Sequence, residues 1–355
     1  MKWKGFAGVF LQIYVRKHQS PERLHRTARK LKKMSDVRLG FIGTGGNMNR
    51  HLRELTEIGG TKFVAFCDIV IDKAEQAVTQ YGGKAYADYN QMLAREELDA
   101  IYISIPPFAH GAPERAVIAA GLPMFVEKPV HMDTDEAKEI AAEVEEKGII
   151  TATGYQERYL DIIDKAQELL ASRRVGFFMG YWMGGMPGGW WREKAKSGGQ
   201  LMEQTTHEFD MARYLFGEVK TVYAVARNDL IPNTDYDIEE ASAVSLQFES
   251  GVFGVMFSAC FTTNGMRRSG LDIFCEDGSL EYHLRSALVL STAEETTTWN
   301  PQNNCTIDMD STFIEAVRTG DGSAIRSPYS DAAKTAILSI AANESLETGL
   351  PVHLD

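Results

Sequence analysis

The sequence has few cysteines and no long apolar run. Its 355 residues include four cysteines, Cys67, Cys260, Cys275 and Cys305, and none of them forms a C-x-x-C motif. Cysteines this far apart argue against a disulfide framework and a thiolate metal site, and they fit a reducing, cytoplasmic environment. Because no apolar stretch reaches the roughly 18 residues that a transmembrane helix needs, we expect no membrane span.

Positive charge is scarce outside the N-terminus. The chain carries 37 Lys and Arg against 49 Asp and Glu, a formal net charge of −12. Ten of the basic residues lie within residues 1–34 beside a single acid, Glu22, so this segment carries +9 and the remainder −21. An acidic body argues against nucleic acid as a partner. Residues 1–34 form a basic N-terminal extension, for which a membrane-surface helix, a targeting segment, an oligomerisation arm and a dispensable extension are all open interpretations.

From residue 35 to 153, short apolar segments alternate with amphipathic ones. VRLGFI at 37–42 has strand character, and NRHLRELTEI at 49–58 has helical spacing. Six such units follow one another, and largely apolar strands between amphipathic helices predict a parallel sheet covered on both faces. We therefore predict an α/β, doubly wound Rossmann domain that binds a dinucleotide.

Residues 154–355 show a different pattern. A helix and a Gly- and Trp-rich stretch precede segments of strand character, and the ESG and EDG tripeptides between neighbouring strands are typical of hairpins. The pattern predicts a second, α+β domain with an antiparallel sheet. We expect residues 291–308 to form a surface loop. Helices near 309–319 and 329–348 are predicted to follow it, and the last of them could pack back on the first domain.

A glycine-rich turn follows the first predicted strand. Gly43 and Gly45 stand between strand and helix, where a tight turn and free N–H groups favour a dinucleotide phosphate. We predict that Gly46 and Asn47 also contact the cofactor. Met48 takes the third position of the fingerprint, where glycine or alanine is usual, so the motif is weak by itself.

Asp68 stands at the end of the second predicted strand. A carboxylate there can accept hydrogen bonds from ribose hydroxyls and would repel a 2′-phosphate. The following residues, IVID, supply no arginine to bind such a phosphate. The position therefore predicts NAD as the cofactor rather than NADP. The alternative is that Asp68 only caps the next helix.

The fourth and fifth predicted strands end at the same edge of the sheet. Ile105, Pro106 and His110 lie in SIPPFAH, whose prolines form a rigid lip where ligands bind in such sheets, although His110 could equally be a capping or surface residue. The fifth strand runs into FVEKPV, which places Glu127 and Lys128 near the nicotinamide. A lysine there could hydrogen-bond a substrate hydroxyl and assist proton transfer. The alternative is a surface lysine paired with Glu127.

In this order, GFIGTGG, CD, SIPPFAH and EKP resemble the glucose–fructose oxidoreductase/inositol dehydrogenase (Gfo/Idh/MocA) family, from about Met34 to the C-terminus. The resemblance implies a second domain with an open, mainly antiparallel sheet, chemistry on sugars or polyols with NAD(P), and homodimers or homotetramers built through that sheet. The family's second signature, an acid four residues before a histidine, matches Glu203 and His207, although aspartate is usual at the first position. It makes His207 the expected acid/base, with Lys128 and Glu203 assisting. If one helix contains both Glu203 and His207, they share a face.

Five residues are candidates for substrate binding. Trp190, Trp191 and Arg192 lie in the Gly- and Trp-rich stretch, and Tyr155 and Arg158 follow the sixth strand in a region that faces substrate in the family. Aromatic faces pack on sugar C–H groups, and a guanidinium can bind hydroxyls or a carboxylate. Core packing is the alternative for each. No cluster has metal-ligand spacing, so we expect no metal.

Together these features predict an NAD-dependent oxidoreductase that acts on a secondary hydroxyl of a sugar, cyclitol or glycoside. Two alternatives stay open: an NAD-dependent glycosidase or lyase that oxidises its substrate transiently, and a non-catalytic ligand-binding relative. Lys128 and His207 argue against the last, because a pure binder needs neither.

Overall fold

The structure is a computed structural model, and it describes residues 36–232, 235–262 and 266–354. The predicted basic extension, residues 1–34, lies outside the described residues. From Val37 onward the chain forms one compact unit. Among the described residues, none of the helices combines the length and the apolar character needed to cross a bilayer.

The first sheet has six parallel strands in the order β3-β2-β1-β4-β5-β6, the doubly wound order of a Rossmann domain. Its elements along the chain are β1 (Val37–Ile42), α1 (Gly46–Ile58), β2 (Thr61–Cys67), α2 (Ile71–Tyr81), β3 (Lys84–Tyr86), α3 (Tyr89–Arg95), β4 (Ala100–Ile103), α4 (Ala112–Ala119), β5 (Met124–Val126), α5 (Thr134–Lys147) and β6 (Thr151–Thr153). A short 3-10 turn, Pro107–Ala109, follows β4. The predicted domain boundary after residue 153 falls at the end of β6.

The strands are apolar because both faces of the sheet are covered. Along β1, Leu39 and Phe41 face one cluster of buried side chains, whereas Ile42 faces the other. Each fully buried side chain of this size contributes roughly 1.5–3 kcal/mol. In α5, the Asp133 side chain caps the first turn by accepting from the Glu136 amide, and Gly148 ends the helix in the left-handed conformation.

The second sheet has nine strands in the order β14-β13-β12-β11-β7-β10-β9-β8-β15. Neighbouring strands are antiparallel except β7 and β10, which are parallel. The elements are α6 (Asp161–Ala171), β7 (Val175–Met183), α7 (Lys194–Ser197), α8 (Gly199–Glu203), α9 (Thr206–Phe216), β8 (Val219–Arg227), β9 (Ala241–Phe248), β10 (Phe253–Ala259), β11 (Arg268–Cys275), β12 (Gly278–His283), β13 (Ala287–Thr292), β14 (Thr296–Trp299), α10 (Cys305–Thr319), α11 (Tyr329–Thr348) and β15 (Val352–His353). The predicted fold class is therefore confirmed.

In the second half, one strand was not predicted and one predicted loop was wrong. The start of the Gly- and Trp-rich stretch, for which no secondary structure was predicted from the sequence, forms β7, the central strand. Gly180 leaves room for a neighbouring side chain there, since a Cβ on it would lie 1.9 Å from the sulfur of Met256. Residues 291–308, predicted to be a loop, contain the end of β13, all of β14 and the start of α10. The side chain of Asn304 caps that helix.

The last two helices return to the first sheet. α10 packs on α1, and α11 packs on both α5 and β8, so it contacts both sheets. The Tyr329 amide at the start of α11 donates to Thr151 Oγ1 at 2.9 Å. These contacts place residues from near the C-terminus against the first domain.

Candidate functional site

The turn between β1 and α1 has the shape of a phosphate cradle. Gly43 has a φ of +81°, and a Cβ there would lie 2.1 Å from the Ser104 carbonyl oxygen. A Cβ on Gly45 or Gly46 would meet nothing within 4 Å, and no side chain caps the first turn of α1. The start of α1 therefore has open space beside it and no side-chain cap, which suits a pyrophosphate. Met48, the departure from the fingerprint, is fully buried in the core.

Asp68 holds this turn against the end of β2. Its Oδ2 accepts from the Thr44 amide at 2.9 Å and from Thr44 Oγ1 at 3.0 Å, and its Oδ1 accepts from the Val70 amide at 2.9 Å. The carboxylate is half-buried. Because each oxygen has two lone pairs, Oδ1 keeps capacity to accept from a ribose hydroxyl.

The lip after β4 lies against the same turn. The Ile105 side chain approaches Gly43, as a Cβ there would lie 2.8 Å from its Cγ2, and half-buried Pro106 precedes the 3-10 turn Pro107–Ala109. His110 is buried, and its Nδ1 lies 2.5 Å from Glu114 Oε1. Its Nε2 is buried without a hydrogen-bond partner among the described residues. His110 therefore has one nitrogen held by Glu114 and one buried nitrogen without a partner among the described residues.

Lys128, at the end of β5, contacts the second half of the chain. Its Nζ donates to the Glu203 carbonyl oxygen at 2.9 Å and lies 3.8 Å from Glu203 Oε2. Burial raises the pKa of Glu203 to about 7, Lys128 opposes that rise, and Glu127 adds to it. An acid with this pKa can exchange a proton near neutral pH.

Glu127 faces the protein interior. Its Oε1 accepts from Arg50 Nη2 at 3.0 Å and lies 2.9 Å from His51 Nε2, and its Oε2 accepts from the Lys128 amide at 3.1 Å. Burial would raise the pKa of Glu127, but His51 and then Arg50 lower it to about 2. Sequence reasoning predicted a cofactor contact for Glu127 and missed His51, which is 76 residues away in the chain.

His207 lies near the start of α9 and forms a dyad with Glu157. Its Nδ1 donates to Glu157 Oε2 at 3.2 Å, and its ring stacks on Trp182 with centroids 5.4 Å apart. Glu157 Oε1 in turn accepts from Arg285 Nε at 2.8 Å. Burial opposes ionisation of Glu157, but His207 and then Arg285 hold its pKa well below the usual range. Sequence reasoning missed Glu157, because no local pattern marks a partner that is 50 residues away.

Glu203 and His207 do not share one helix. Glu203 ends α8, His207 belongs to α9, and Gln204 and Thr205 separate the two helices. The single-helix premise is therefore wrong. The chain nevertheless stays tightly coiled, since the Thr205 amide donates to the Gln200 carbonyl at 3.1 Å. Lys128 thus contacts a residue that lies four positions before His207.

Two residues assigned to the substrate from sequence lie in the interior. Tyr155 is fully buried, and its hydroxyl lies 2.9 Å from Thr206 Oγ1. Arg158 is 3% exposed and pairs with Asp210 through Nε at 2.7 Å, and its Nη2 lies 2.6 Å from Asp331 Oδ2. These contacts give both side chains a structural role.

Trp190, Trp191 and Arg192 are half-buried in a 3-10 turn, Gly189–Arg192. The two indoles meet edge to face at 5.6 Å, and Arg192 donates from Nε to the Pro187 carbonyl at 2.7 Å. The next helix, α7, packs on the turn after β4. This aromatic segment therefore borders the lip of the first sheet.

A cavity of about 530 Å³ lies on the other side of Trp182 and Gln204. Its walls include Trp182, Gln204, Ser269 and His283. Trp182 stacks on His207 and Gln204 follows Glu203, so the cavity borders the segment that Lys128 contacts. A small ligand would fit this volume.

The fold and these groups define a class of protein, a dinucleotide-binding oxidoreductase. Comparison with family models agrees. A model described as an oxidoreductase family with an NAD-binding Rossmann fold matches residues 37–155, and the C-terminal domain model of the same Gfo/Idh/MocA family matches residues 165–281. The chain belongs to the Gfo/Idh/MocA oxidoreductase family. The predicted family, its enzymatic class and NAD as its cofactor are thereby confirmed.

Several named proteins are similar to this chain. Scyllo-inositol 2-dehydrogenase (NAD(+)) of Bacillus subtilis is 27% identical over 228 residues, an alignment that covers 61% of this chain and 66% of that protein, just under two thirds of its length. Myo-inositol 2-dehydrogenase of Thermotoga maritima is 25% identical over 90% of this chain and 99% of that protein. The structure of a levoglucosan dehydrogenase with NADH and levoglucosan has a TM-score of 0.81 at 19% identity, with 90% and 99% of the two chains covered, which is a likeness of fold.

Proposed function

We propose that this protein catalyses the NAD-dependent oxidation of a secondary hydroxyl on a sugar, cyclitol or glycoside. The observation that carries the proposal is the contact of Lys128 with Glu203. It joins the edge of the first sheet, where the glycine turn lies, to the segment that contains His207. A cation and an imidazole in one cleft are what removal of a hydroxyl proton requires.

The residues present fit the cofactor. The open space at Gly45 and Gly46 and the uncapped start of α1 suit a pyrophosphate, and Asp68 suits an adenosine ribose. The lip at Ile105 and Pro106 would line the cleft toward the nicotinamide. NAD, when bound, supplies the nicotinamide carbon that accepts a hydride from the substrate.

Each side chain at the site has its own role in removing the hydroxyl proton. Glu157 accepts from His207 Nδ1, which leaves Nε2 as the nitrogen that takes the hydroxyl proton as the hydride leaves the carbon. Lys128 stabilises the negative charge that develops on the substrate oxygen. Glu203, through its carbonyl, holds the ammonium group in place.

The substrate class rests on the surroundings of His207 and on the relatives. Trp182, which stacks on His207, borders a cavity of about 530 Å³, and aromatic faces pack well on sugar rings. Relatives named for scyllo-inositol and myo-inositol, and a structural neighbour named for levoglucosan, support a cyclitol or sugar. The aromatic segment 189–192 would close the cleft from the other side.

The test is a screen of polyols, aldoses and glycosides with NAD, followed by the absorbance of NADH. We expect turnover with at least one cyclic polyol or sugar and a loss of about 100-fold or more in kcat for Lys128→Ala, because proton transfer loses its assisting charge. Lys62→Ala, which removes an exposed lysine on β2, is the matched control and should keep wild-type kcat. Wild-type turnover in Lys128→Ala would refute the role of Lys128.

A second outcome would change the reaction type. If a glycoside is cleaved without net accumulation of NADH, and NAD stays bound through dialysis, the protein is a glycosidase or lyase that oxidises its substrate transiently. The binding of a sugar without either reaction would make it a ligand-binding relative.

We also propose a homo-oligomer that forms through the outer face of the second sheet. Phe177 and Phe253 are 40% and 53% exposed there and stack with centroids 5.9 Å apart, and Phe274 stacks on Phe177 at 4.8 Å. An apolar patch of this kind is typical of an interface. Phe253→Asp should reduce the mass seen in sedimentation, and an unchanged mass would refute the proposal. A cytoplasmic location fits the four free cysteines.

A further inference from the structure

A buried histidine lies behind the Glu127–Lys128 pair. His51 on α1 is fully buried, with its ring between Tyr102 at 5.4 Å and Phe125 at 4.8 Å. Its Nδ1 lies 2.9 Å from both carboxylate oxygens of Asp310 on α10, and its Nε2 lies 2.9 Å from Glu127 Oε1. Both ring nitrogens therefore face acids.

The positive charge of a protonated His51 explains why the ring stays between the two carboxylates. An imidazole with a carboxylate at each nitrogen donates at both, which only the protonated ring can do. Burial lowers the pKa of His51, but Asp310 and then Glu127 outweigh it and raise that pKa to about 9, while Arg50 opposes them. Glu54, also on α1, and the hydroxyl of Tyr102, 3.5 Å from Asp310, complete the groups that face the ring.

The hydrogen bonds of this group extend to Lys128. Glu127 Oε2 accepts from the Lys128 amide at 3.1 Å, so a row of hydrogen bonds runs from Asp310 through His51 and Glu127 to the backbone of Lys128. A metal ion at His51, Glu54 and Asp310 would need the ring nitrogen that donates to Asp310. The hydrogen-bonded side chains of Asp310, His51 and Glu127 thus hold the backbone of Lys128 in a fixed position.

We propose that His51 and Asp310 are positioning residues for Lys128, through which a helix near the C-terminus sets the placement of the ammonium group at the site. The inference rests on the proposed function of Lys128. It extends that function because α10 would help to position a catalytic residue, although no residue of α10 needs to touch substrate or cofactor.

The test compares Asp310→Asn and His51→Gln with Asp308→Asn, a half-buried acid on the same helix. We expect kcat to fall about 10- to 100-fold in the first two, with the KM for NAD nearly unchanged, because misplacement by about 1 Å can cost that much. The alkaline limb of the pH–kcat profile should move to lower pH in Asp310→Asn, since the largest support for the charged ring is gone. Asp308→Asn should show neither effect.

A double-mutant cycle separates this inference from the proposed function. If Asp310 acts through Lys128, Asp310→Asn should add little further loss to Lys128→Ala. An equal additional loss in that background, or a wild-type profile in Asp310→Asn alone, would overturn the positioning role. Wild-type turnover in Lys128→Ala would instead refute the proposed function.

A second variant covers the case in which Asp310→Asn does not fold. In Gly154→Ala, the new Cβ would lie 2.4 Å from Glu127 Oε2, so the carboxylate must leave the Lys128 amide while every charge is kept. We expect a similar fall in kcat that is absent in the Lys128→Ala background. Unchanged kcat in a folded Gly154→Ala protein would show that the hydrogen bonds from Asp310 through His51 and Glu127 do not position Lys128.

Discussion

The sharpest test of cofactor choice is Asp68→Asn. The substitution keeps the size of the side chain and one acceptor oxygen, and it removes the negative charge. A hydrogen bond to a charged group is worth roughly 1.5–3 kcal/mol, so the loss of one ribose contact should raise the KM for NAD about 10- to 100-fold. The KM for NADP should fall, because the carboxylate no longer repels a 2′-phosphate.

The structure also suggests the control for this test. Asp68 accepts from the amide and the hydroxyl of Thr44, so its replacement could act by loosening the glycine turn. Thr44→Val removes the hydroxyl bond and leaves Asp68 charged. It should affect NAD and NADP equally. Initial rates with both cofactors give the ratio of kcat/KM, and a ratio that is the same in Asp68→Asn and wild type would refute the ribose assignment.

Three further predictions concern stability. Glu203→Gln should raise the free energy of unfolding at pH 8 by up to about 3 kcal/mol. The native pKa of Glu203 is about 7, above its value in the unfolded chain, so ionisation of Glu203 destabilises the folded protein above pH 7, and this cost disappears as the pH falls toward 4.5. Urea titrations that show the same difference between variant and wild type at pH 8 and at pH 5 would contradict this. Asp210→Asn should cost about 3 kcal/mol in urea denaturation, since it weakens a buried pair with Arg158, and a loss below about 1 kcal/mol would contradict the pairing. Gly180→Ala should cost about 1–3 kcal/mol by crowding Met256, whereas Gly184→Ala, where a Cβ meets nothing within 4 Å, should cost less, and equal thermal midpoints would contradict the contact.

Local patterns were enough to predict the first sheet. Short apolar runs such as VRLGFI, alternating with amphipathic helices, indicate parallel strands covered on both faces, and β1 occupies the predicted residues 37–42. The second sheet was harder, because β7 contains two glycines and four half-buried residues that do not alternate cleanly. Its strand character comes from pairing with β10 and β11, which lie about 80 residues further along the chain.

In the candidate site too, features set by local sequence could be predicted and features set by distant residues could not. Gly43, Asp68 and Lys128 could be predicted because each stands at the end of a strand whose place in the sheet follows from the strand order. His51, Glu157 and the break after Glu203 could not, since each depends on partners distant in sequence or on a local departure from helical geometry. Sequence spacing carries no information about which buried charges meet.

The return of α10 and α11 to the first sheet bears on how this chain can be divided. Phe313 of α10 lies edge-on against Tyr102 and Phe125, with ring centroids 5.5 and 5.7 Å apart, in the interior of the nucleotide-binding half. A fragment that stops at residue 153 would present those rings to water, together with the Nδ1 side of His51 that Asp310 now pairs. The nucleotide-binding half is therefore no autonomous module for recombination or grafting, and a chimera that exchanges substrate domains must carry residues 305–348 with the first sheet.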